Sequence, residues 1–307
     1  MNKKRIKIII VFIVAYSTFS WGFYGHKKIN KHAVLILPSP LINIYKKNII
    51  FITEHSVDAD KKRYSIETEK YNHYIDLDSY ETPIDSIPRT WQKVNENFNK
   101  DSILKHGILP WNILLVKFQL QKAFEENNFE KIMQLSADIG HYIGDLHVPL
   151  HTTKNYNGQL TNQHGIHALW ESRMVELYSK EWKLYTGQAY YIEKPSKVIW
   201  ESLKESNSLV RQVFEYETLA SNITTNKFAF ETVNQQVKKV YSHEFCNNYK
   251  KLIEKMIENQ LKSAISLTSS MWYTCWVDAG QPIIKEKKLK KQKKTEKTPK
   301  IENECNH

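Results

Sequence analysis

Apolar residues recur every three or four positions over long stretches of this chain, and this spacing limits the fold more than any other feature. In 111–127, for example, Ile113, Phe118, Leu120 and Phe124 are interspersed with Lys, Gln and Glu, which is typical of an amphipathic helix. Only nine Gly occur in 307 residues, and alternating strand patterns are nearly absent. We therefore predict an all-α fold that forms a single-domain multi-helix bundle.

The helical spacing also gives approximate boundaries. It predicts helices over 41–55, 111–127, 129–147, 166–178, 195–216, 226–240 and 245–276. Residues 77–109 contain two prolines and show no clean period, so they are predicted to form mainly a connecting loop. A second loop is predicted over 149–165.

The two ends of the chain differ in composition from the rest. Residues 1–20 have basic residues, then an apolar run, then small and polar residues, which is the layout of a secretory signal peptide. The apolar run is short for a membrane span. We expect cleavage before Trp21, a secreted or periplasmic protein with no transmembrane span in the mature chain, a folded domain over 21–284, and a disordered lysine-rich tail over 285–307.

The formal net charge of +11 does not by itself indicate a nucleic-acid partner. Residues 1–20 contribute +4 and residues 285–307 contribute +5, so the domain between them carries only +2. The basic residues are concentrated at the ends, and the charge says little about what the domain binds. No stable protein partner is implied.

Cysteine chemistry contributes little to the prediction. Cys246, Cys275 and Cys305 are too few for a disulfide framework, although export would permit Cys246 and Cys275 to pair. No cysteine has a CxxC neighbour, so a thiolate metal site is disfavoured.

Histidines and carboxylates are concentrated between His141 and Glu171, where five of the twelve histidines fall. His141 and Asp145 are four residues apart in a predicted helix, so their side chains project from one face. His167 and Glu171 repeat this spacing in a second helix, and His151 follows the proline that ends the first. Imidazole and carboxylate groups in this arrangement are suited to zinc.

Two other segments offer ligands that would complete such sites. The first contains Asp58, Asp60 and His73, and the second runs from Trp21 to His26. His147 lies between the ligand candidates, and we interpret it as a supporting or capping residue because metal ligands are usually held by further hydrogen bonds.

These motifs together resemble those of the zinc-dependent S1/P1 nuclease and phospholipase C superfamily. The matching segments are HxxxDxHxPLH, then HxxWE, with WGxxGH at the expected mature N-terminus and an aspartate upstream of HYID. They occur in the right order and span essentially 21–284. The resemblance implies an all-helical domain of the phospholipase C/P1 nuclease type that binds three zinc ions.

The resemblance also implies how the ligands are shared. One zinc ion would be held by Asp58, His73, His141 and Asp145, and a second by His151, His167 and Glu171. A third would be held by the α-amino group and carbonyl of Trp21 with His26 and the shared Asp145. An α-amino group binds metal only after cleavage and deprotonation, so this last site requires removal of the signal peptide.

The catalytic assignment carries an ambiguity. Asp58 would also orient the attacking water, and Lys61 would match a basic residue of the family that stabilises the transition state. However, Asp60 with Arg63 shows the same spacing as Asp58 with Lys61. The distance to His73 favours Asp58, and Asp60 remains the alternative.

The resemblance implies hydrolysis of phosphodiester bonds, with nucleic acid or phospholipid as the substrate. WGxxGH and HYID favour an S1/P1-type nuclease that cleaves single-stranded nucleic acid. Glu171 and the short loop before it favour a phospholipase C that acts on phosphatidylcholine-like lipids. A different class, a non-catalytic secreted binding domain stabilised by metal, would have closed coordination shells instead of an open position for water or substrate.

Overall fold

The computed structural model describes residues 23–80, 82–233, 236–287 and 289. The predicted signal peptide, Trp21 and nearly all of the predicted tail lie outside the described residues. The predictions made for those segments therefore stay predictions.

Helices account for most of the described chain, and the all-α prediction is confirmed. Those of the first half are α1 (Phe23–Leu35), α2 (Leu41–Lys47), α3 (Ile49–His55), α4 (Asp58–Lys62), α5 (Trp91–Asn97), α6 (Lys100–Lys105), α7 (Leu109–Glu125) and α8 (Phe129–Leu146). Those of the second half are α9 (Ile166–Ala168), α10 (Met174–Tyr178), α11 (Pro195–Ser208), α12 (Val210–Asn222) and α13 (His243–Asp278). A π-helical turn, Leu169–Arg173, joins α9 to α10, and 3₁₀ turns occur at Glu67–His73, Leu77–Ser79, Ile84–Ser86 and Pro149–Thr152.

Helix α8 lies at the centre of the bundle and packs against α1, α3, α7 and α13. Every residue from Ser136 to Leu146 is buried. The indole of Trp272 on α13 donates a hydrogen bond to the Ser136 carbonyl (3.0 Å), which ties the longest helix to the central one. The polar side chains of this stretch therefore project into the interior of the protein instead of into solvent.

Two glycines on α8 allow α1 to approach closely. A Cβ atom at Gly140 would lie 2.0 Å from Asn30 Oδ1, and one at Gly144 would lie 2.7 Å from His26 Nδ1. Neither distance is compatible with a larger residue unless α1 moves. These two positions thus set how near the His26 side chain comes to the centre of the bundle.

The predicted helix over 226–240 is wrong. This segment forms an antiparallel hairpin of strands β1 (Phe228–Val233) and β2 (Gln236–Tyr241), in which Phe230 lies opposite Lys239. Aromatic and β-branched residues are frequent in both strands, and such residues favour a pleated surface.

Residues 77–109 are more ordered than the predicted loop, because they contain α5 and α6. Trp91 of α5 contacts Trp111 of α7, with ring centroids 5.9 Å apart. Helices this short depend on tertiary packing and give almost no periodic signal.

The predicted helix over 41–55 is two helices, α2 and α3, which are separated at Asn48. At this break the Asn48 side chain donates a hydrogen bond to the Ile44 carbonyl (2.9 Å).

Cys246 and Cys275 are both buried and free. They lie on the same helix, 29 positions apart, which corresponds to about 43 Å along the axis. They are too far apart to bond to each other. Cys305 lies outside the described residues.

Candidate metal centre

The structure brings together histidines and carboxylates from segments that are far apart in sequence. Two of these residues lie on α8, and two lie on the helix that begins at residue 166. Four other segments contribute one residue each, namely α1, α4 and the 3₁₀ turns Glu67–His73 and Pro149–Thr152. These residues are His26, Asp60, His73, His141, Asp145, His151, His167 and Glu171. They form three groups, and within each group the ligand atoms lie within 4.8 Å of one another. One group consists of His26, His141 and Asp145, and it shares His141 with one of the other two.

The first group consists of Asp60, His73 and His141. His141 Nε2 lies 3.0 Å from His73 Nδ1, and each of these nitrogens lies 3.9 Å from Asp60 Oδ1. All three residues are buried. Three donor atoms thus converge on one small space.

The second group consists of His151, His167 and Glu171. His167 Nε2 lies 2.7 Å from Glu171 Oε2 and 3.1 Å from His151 Nε2. Glu171 lies in the π-helical turn, a local expansion of the helix that is frequent at functional sites. His167 and Glu171 are only partly buried, so this group lies toward the solvent side.

Asp145 connects the groups because its two oxygens face different histidines. Oδ2 lies 3.0 Å from His73 Nδ1 and 3.3 Å from His141 Nε2. Oδ1 lies 3.3 Å from His26 Nε2 and 3.9 Å from His151 Nε2. A carboxylate in this position can be shared between neighbouring cations.

Hydrogen bonds to carbonyls fix two of the histidine rings. His141 Nδ1–H donates to the Ser56 carbonyl (2.9 Å), and His151 Nδ1–H donates to the His73 carbonyl (2.6 Å). Because a carbonyl only accepts, Nδ1 carries a hydrogen, and Nε2 faces the centre, where its lone pair is available once the ring is neutral. Both rings are therefore oriented to bind a cation through Nε2.

Glu69 supports His73 and was missed by the sequence analysis. Its Oε1 lies 3.7 Å from His73 Nε2, the ring nitrogen that faces away from the group, and it accepts a hydrogen bond from the Tyr142 hydroxyl. A carboxylate behind a ligand histidine orients the ring and increases its basicity. The signal that could have found it is the spacing Glu69-x-x-x-His73.

We expect Glu69→Gln to weaken zinc binding by roughly 10-fold, because the ring of His73 would lose its negatively charged neighbour. Competition with a chromophoric chelator would measure the change. Glu67→Gln is the matched control, since Glu67 lies in the same 3₁₀ turn and is exposed. Equal affinities for the two variants would contradict a supporting role for Glu69.

The structure places Asp60, not Asp58, among the converging ligand atoms, and so favours the alternative over the preferred Asp58. Asp58 is the first residue of α4 and Asp60 is the third. Residues two apart on a helix differ by about 200° in direction, so the two carboxylates point toward nearly opposite sides. The Asp58 carboxylate instead accepts hydrogen bonds from His55 and from exposed Lys61 (2.9 Å). Arg63 Nε lies 3.7 Å from Asp60 Oδ1, so Arg63, not Lys61, is the basic residue beside the centre.

The remaining predicted site residues have these outcomes. His147 follows the end of α8, and its Nδ1–H donates to the Ile143 carbonyl (2.8 Å), in agreement with a supporting or capping role. Trp21 lies outside the described residues, so its predicted role as a ligand stays a prediction.

Burial and charge act against each other in the centre. Burial alone would lower the pKa of His26, but Asp145 and Glu171 raise the pKa well above its ordinary value. Burial alone would raise the pKa of Asp145, but His141 and His151 hold it well below its ordinary value. The pKa of His151 is raised to about 9, where Asp145 and Glu171 outweigh the effect of burial. The buried carboxylates of the centre are thus stabilised by positive charge and hydrogen bonds from the surrounding histidines.

The residues fit zinc. Ligands held at about 2.0–2.1 Å in a tetrahedral arrangement lie roughly 3.3 Å from one another, and the donor atoms of the second group lie 2.7 to 3.5 Å apart. The donor set is imidazole and carboxylate, which suits zinc. Cations would also supply the positive charge that the three carboxylates Asp60, Asp145 and Glu171 require.

Zinc binding near pH 7 should release protons. The pKa of His151 is raised to about 9 without metal, so its ring holds a proton at pH 7, whereas a metal requires the deprotonated nitrogen. Isothermal titration in buffers of different ionisation enthalpy would count the protons. A binding enthalpy independent of the buffer would contradict this prediction.

The fold and these side chains define an all-helical protein with a candidate centre for several metal ions. Among the described residues, no helix has both the length and the apolar character needed to cross a membrane. No family model matches the chain, and no curated protein matches it. It is similar to a solved structure, the alpha toxin from Clostridium absonum, with a TM-score of 0.46 and 12% identity, over 83% of this chain and 64% of the toxin chain. The chain therefore spans less than two thirds of the toxin, and a likeness at this level assigns neither a family nor an activity.

Proposed function

We propose that this chain is a zinc-dependent hydrolase of phosphodiester bonds. The observation that carries the proposal is the position of Asp145, whose two oxygens face separate sets of histidines at 3.0–3.9 Å. A purely structural zinc site is a single closed set of four ligands. Adjacent sets that share a carboxylate are the arrangement expected for cooperating ions that bind a phosphate between them.

The ligands divide naturally among three ions. Asp60, His73, His141 and Asp145 would hold one ion, and His151, His167 and Glu171 would hold another. His26 and Asp145 would hold the third with the amino group and carbonyl of Trp21. In support of the last assignment, α1 begins at Phe23, only two positions after Trp21, and His26 lies in its first turn.

The side chains have distinct roles in the proposed reaction. When bound, zinc would lower the pKa of a water molecule toward about 7 and neutralise charge on phosphate oxygens. Asp60 would accept a hydrogen bond from the attacking water and so orient it. Exposed Arg63, beside Asp60, would donate hydrogen bonds to the phosphate as its charge develops.

Arg63→Met should lower kcat by roughly 100-fold with little change in zinc content, because it removes charge stabilisation but no metal ligand. Lys61→Met should change kcat less than about threefold, since Lys61 pairs with Asp58 outside the centre and exposed pairs contribute little. Steady-state kinetics on the zinc-loaded variants would compare them. The reverse order of effects would restore Lys61 as the catalytic residue.

Two substrate classes remain candidates, each with a specific observation. Glu171 lies within 3.5 Å of ring nitrogens of His26, His151 and His167. A glutamate at this position is the feature that favours a phospholipid substrate. The ring of Tyr156 lies 6.0 Å from that of His167, and an aromatic ring beside the centre offers a surface on which a base can stack.

The test is an assay of the mature protein, beginning at Trp21, on phosphatidylcholine and on single-stranded DNA and RNA. We expect zinc-dependent turnover of one class and at least about 100-fold less turnover by Asp145→Asn. Zinc-loaded protein that turns over none of these substrates would overturn the proposal in favour of a non-catalytic metal-stabilised binding domain.

We also propose that the protein acts outside the cytoplasm. This proposal rests on the predicted signal peptide and on the resemblance of the sequence motifs to those of the S1/P1 nuclease and phospholipase C superfamily.

A further inference from the structure

A small cavity lies beside the candidate metal centre, next to His26 and Glu171. Its lining includes Gly25 and His26 of α1, Gly144 of α8, His147, and Trp170 of the π-helical turn. Its volume is about 20 Å³, which is enough for one water molecule where polar groups are present to bind it.

Two buried nitrogens in this lining have no hydrogen-bond partner among the described residues. They are His26 Nδ1 and Trp170 Nε1. His26 is 3% exposed and Trp170 is 2% exposed, so bulk solvent does not satisfy them. The His26 nitrogen faces Gly144, where an added Cβ atom would lie only 2.7 Å away. Buried groups of this kind are usually paired, often with an ordered water.

His147 supplies an acceptor in the same cavity. Its Nδ1–H donates to the Ile143 carbonyl (2.8 Å), so its Nε2 carries the lone pair. The lining, which also contains Glu171 and Gln260, thus includes two donors, on His26 and Trp170, and an acceptor on His147.

We propose that the cavity holds one ordered water molecule that accepts hydrogen bonds from His26 Nδ1–H and Trp170 Nε1–H and donates one to His147 Nε2. This satisfies both orphaned nitrogens with three hydrogen bonds, the typical number for a buried water. It also keeps the hydrogen of His26 on Nδ1, which leaves Nε2 directed at Asp145 (3.3 Å) and Glu171 (3.1 Å). His147 is then a positioning residue that acts on His26 through the water.

The effect on metal binding rests on the proposed function, whereas the water itself does not. His147→Leu removes the acceptor, and we expect it to weaken the binding of the ion held by His26 by about 10- to 100-fold, the usual effect of losing a supporting group. His147→Gln, whose amide oxygen accepts a hydrogen bond, should restore most of the affinity. Val148→Ala is the control, because Val148 lines the same cavity without a polar group.

Two measurements decide the inference. Competition with chelators would give the zinc affinities of the variants. A high-resolution structure of the metal-free wild-type chain would show the water, and ¹⁵N imidazole shifts of His26 would show whether its Nδ1–H is hydrogen-bonded. If the wild-type chain bound no zinc, the proposed function would fail, and the water density and the His26 shifts would still test the hydrogen bonds. An empty cavity, or His147→Leu with wild-type affinity for every ion, would overturn the inference.

Discussion

Asp60→Asn should lower phosphodiesterase activity by at least about 100-fold and remove one zinc ion per chain. Asp60 Oδ1 lies 3.9 Å from the facing nitrogens of both His73 and His141, so it is the carboxylate of the first group. Asparagine has the same shape but no charge, and its amide is a poor zinc ligand. Loss of a supporting group alone costs 10- to 100-fold in metal affinity or activity, and loss of a direct ligand should cost no less.

Asp58→Asn provides the matched control, because the two aspartates lie in the same short helix. The Asp58 carboxylate contacts His55 and Lys61 and belongs to none of the three groups. We expect zinc content and kcat to remain within about threefold of wild type, since only a partly exposed ion pair is lost. Wild-type activity for Asp60→Asn, together with loss of activity for Asp58→Asn, would contradict the placement of the metal centre.

Removal of zinc by a chelator should lower the melting temperature by at least about 10 °C. A single ion present at 1,000 times its dissociation constant stabilises the folded state by about 4 kcal/mol, and each kcal/mol shifts Tm by about 2–4 °C for domains of 150–250 residues. The ligands come from α1, α4, α8, the helix that begins at residue 166 and the 3₁₀ turns Glu67–His73 and Pro149–Thr152. Metal ions would therefore cross-link distant parts of the bundle.

Zinc removal should lower the melting temperature without unfolding the protein completely, because protons replace part of the missing positive charge. Asp145 and Glu171 raise the pKa values of His26 and His151 against the effect of burial, so these rings are protonated in the metal-free centre near pH 7. Thermal melts followed by circular dichroism, with and without chelator and after zinc is restored, would test this. An unchanged Tm after confirmed zinc removal would contradict the cross-linking role.

Sequence periodicity was sufficient for the long helices because each buries one continuous face. The helices predicted over 129–147 and 245–276 correspond to α8 and α13. It was insufficient for α5 and α6, which are held by contacts such as Trp91 with Trp111. It also failed for the β1–β2 hairpin, where apolar residues at short spacing fit either structure.

The candidate centre was predicted from pairs of residues four apart, since both members of such a pair face the same way on a helix. His141 with Asp145 and His167 with Glu171 were found in this manner, and the structure brings both pairs together. The choice between Asp58 and Asp60 depended on which way the short helix α4 faces. The direction of a five-residue helix is set by packing and is not encoded in residue spacing.

Support for the ligands was harder to predict than the ligands themselves. The carbonyls of Ser56 and His73 that orient His141 and His151 belong to the backbone and carry no sequence signal. Glu69 does have a sequence signal, which is its four-residue spacing to His73. The side chains that bind are visible in sequence, whereas the groups that hold them depend on tertiary structure.

The most direct test is diffraction from crystals of the mature protein, recorded on both sides of the zinc absorption edge, with its N-terminus sequenced. We expect three anomalous peaks, all among the histidine and carboxylate side chains that surround Asp145. One of the three zinc ions should be bound to the amino group of residue 21. A crystal soaked in zinc that shows no peak in this region would contradict the account.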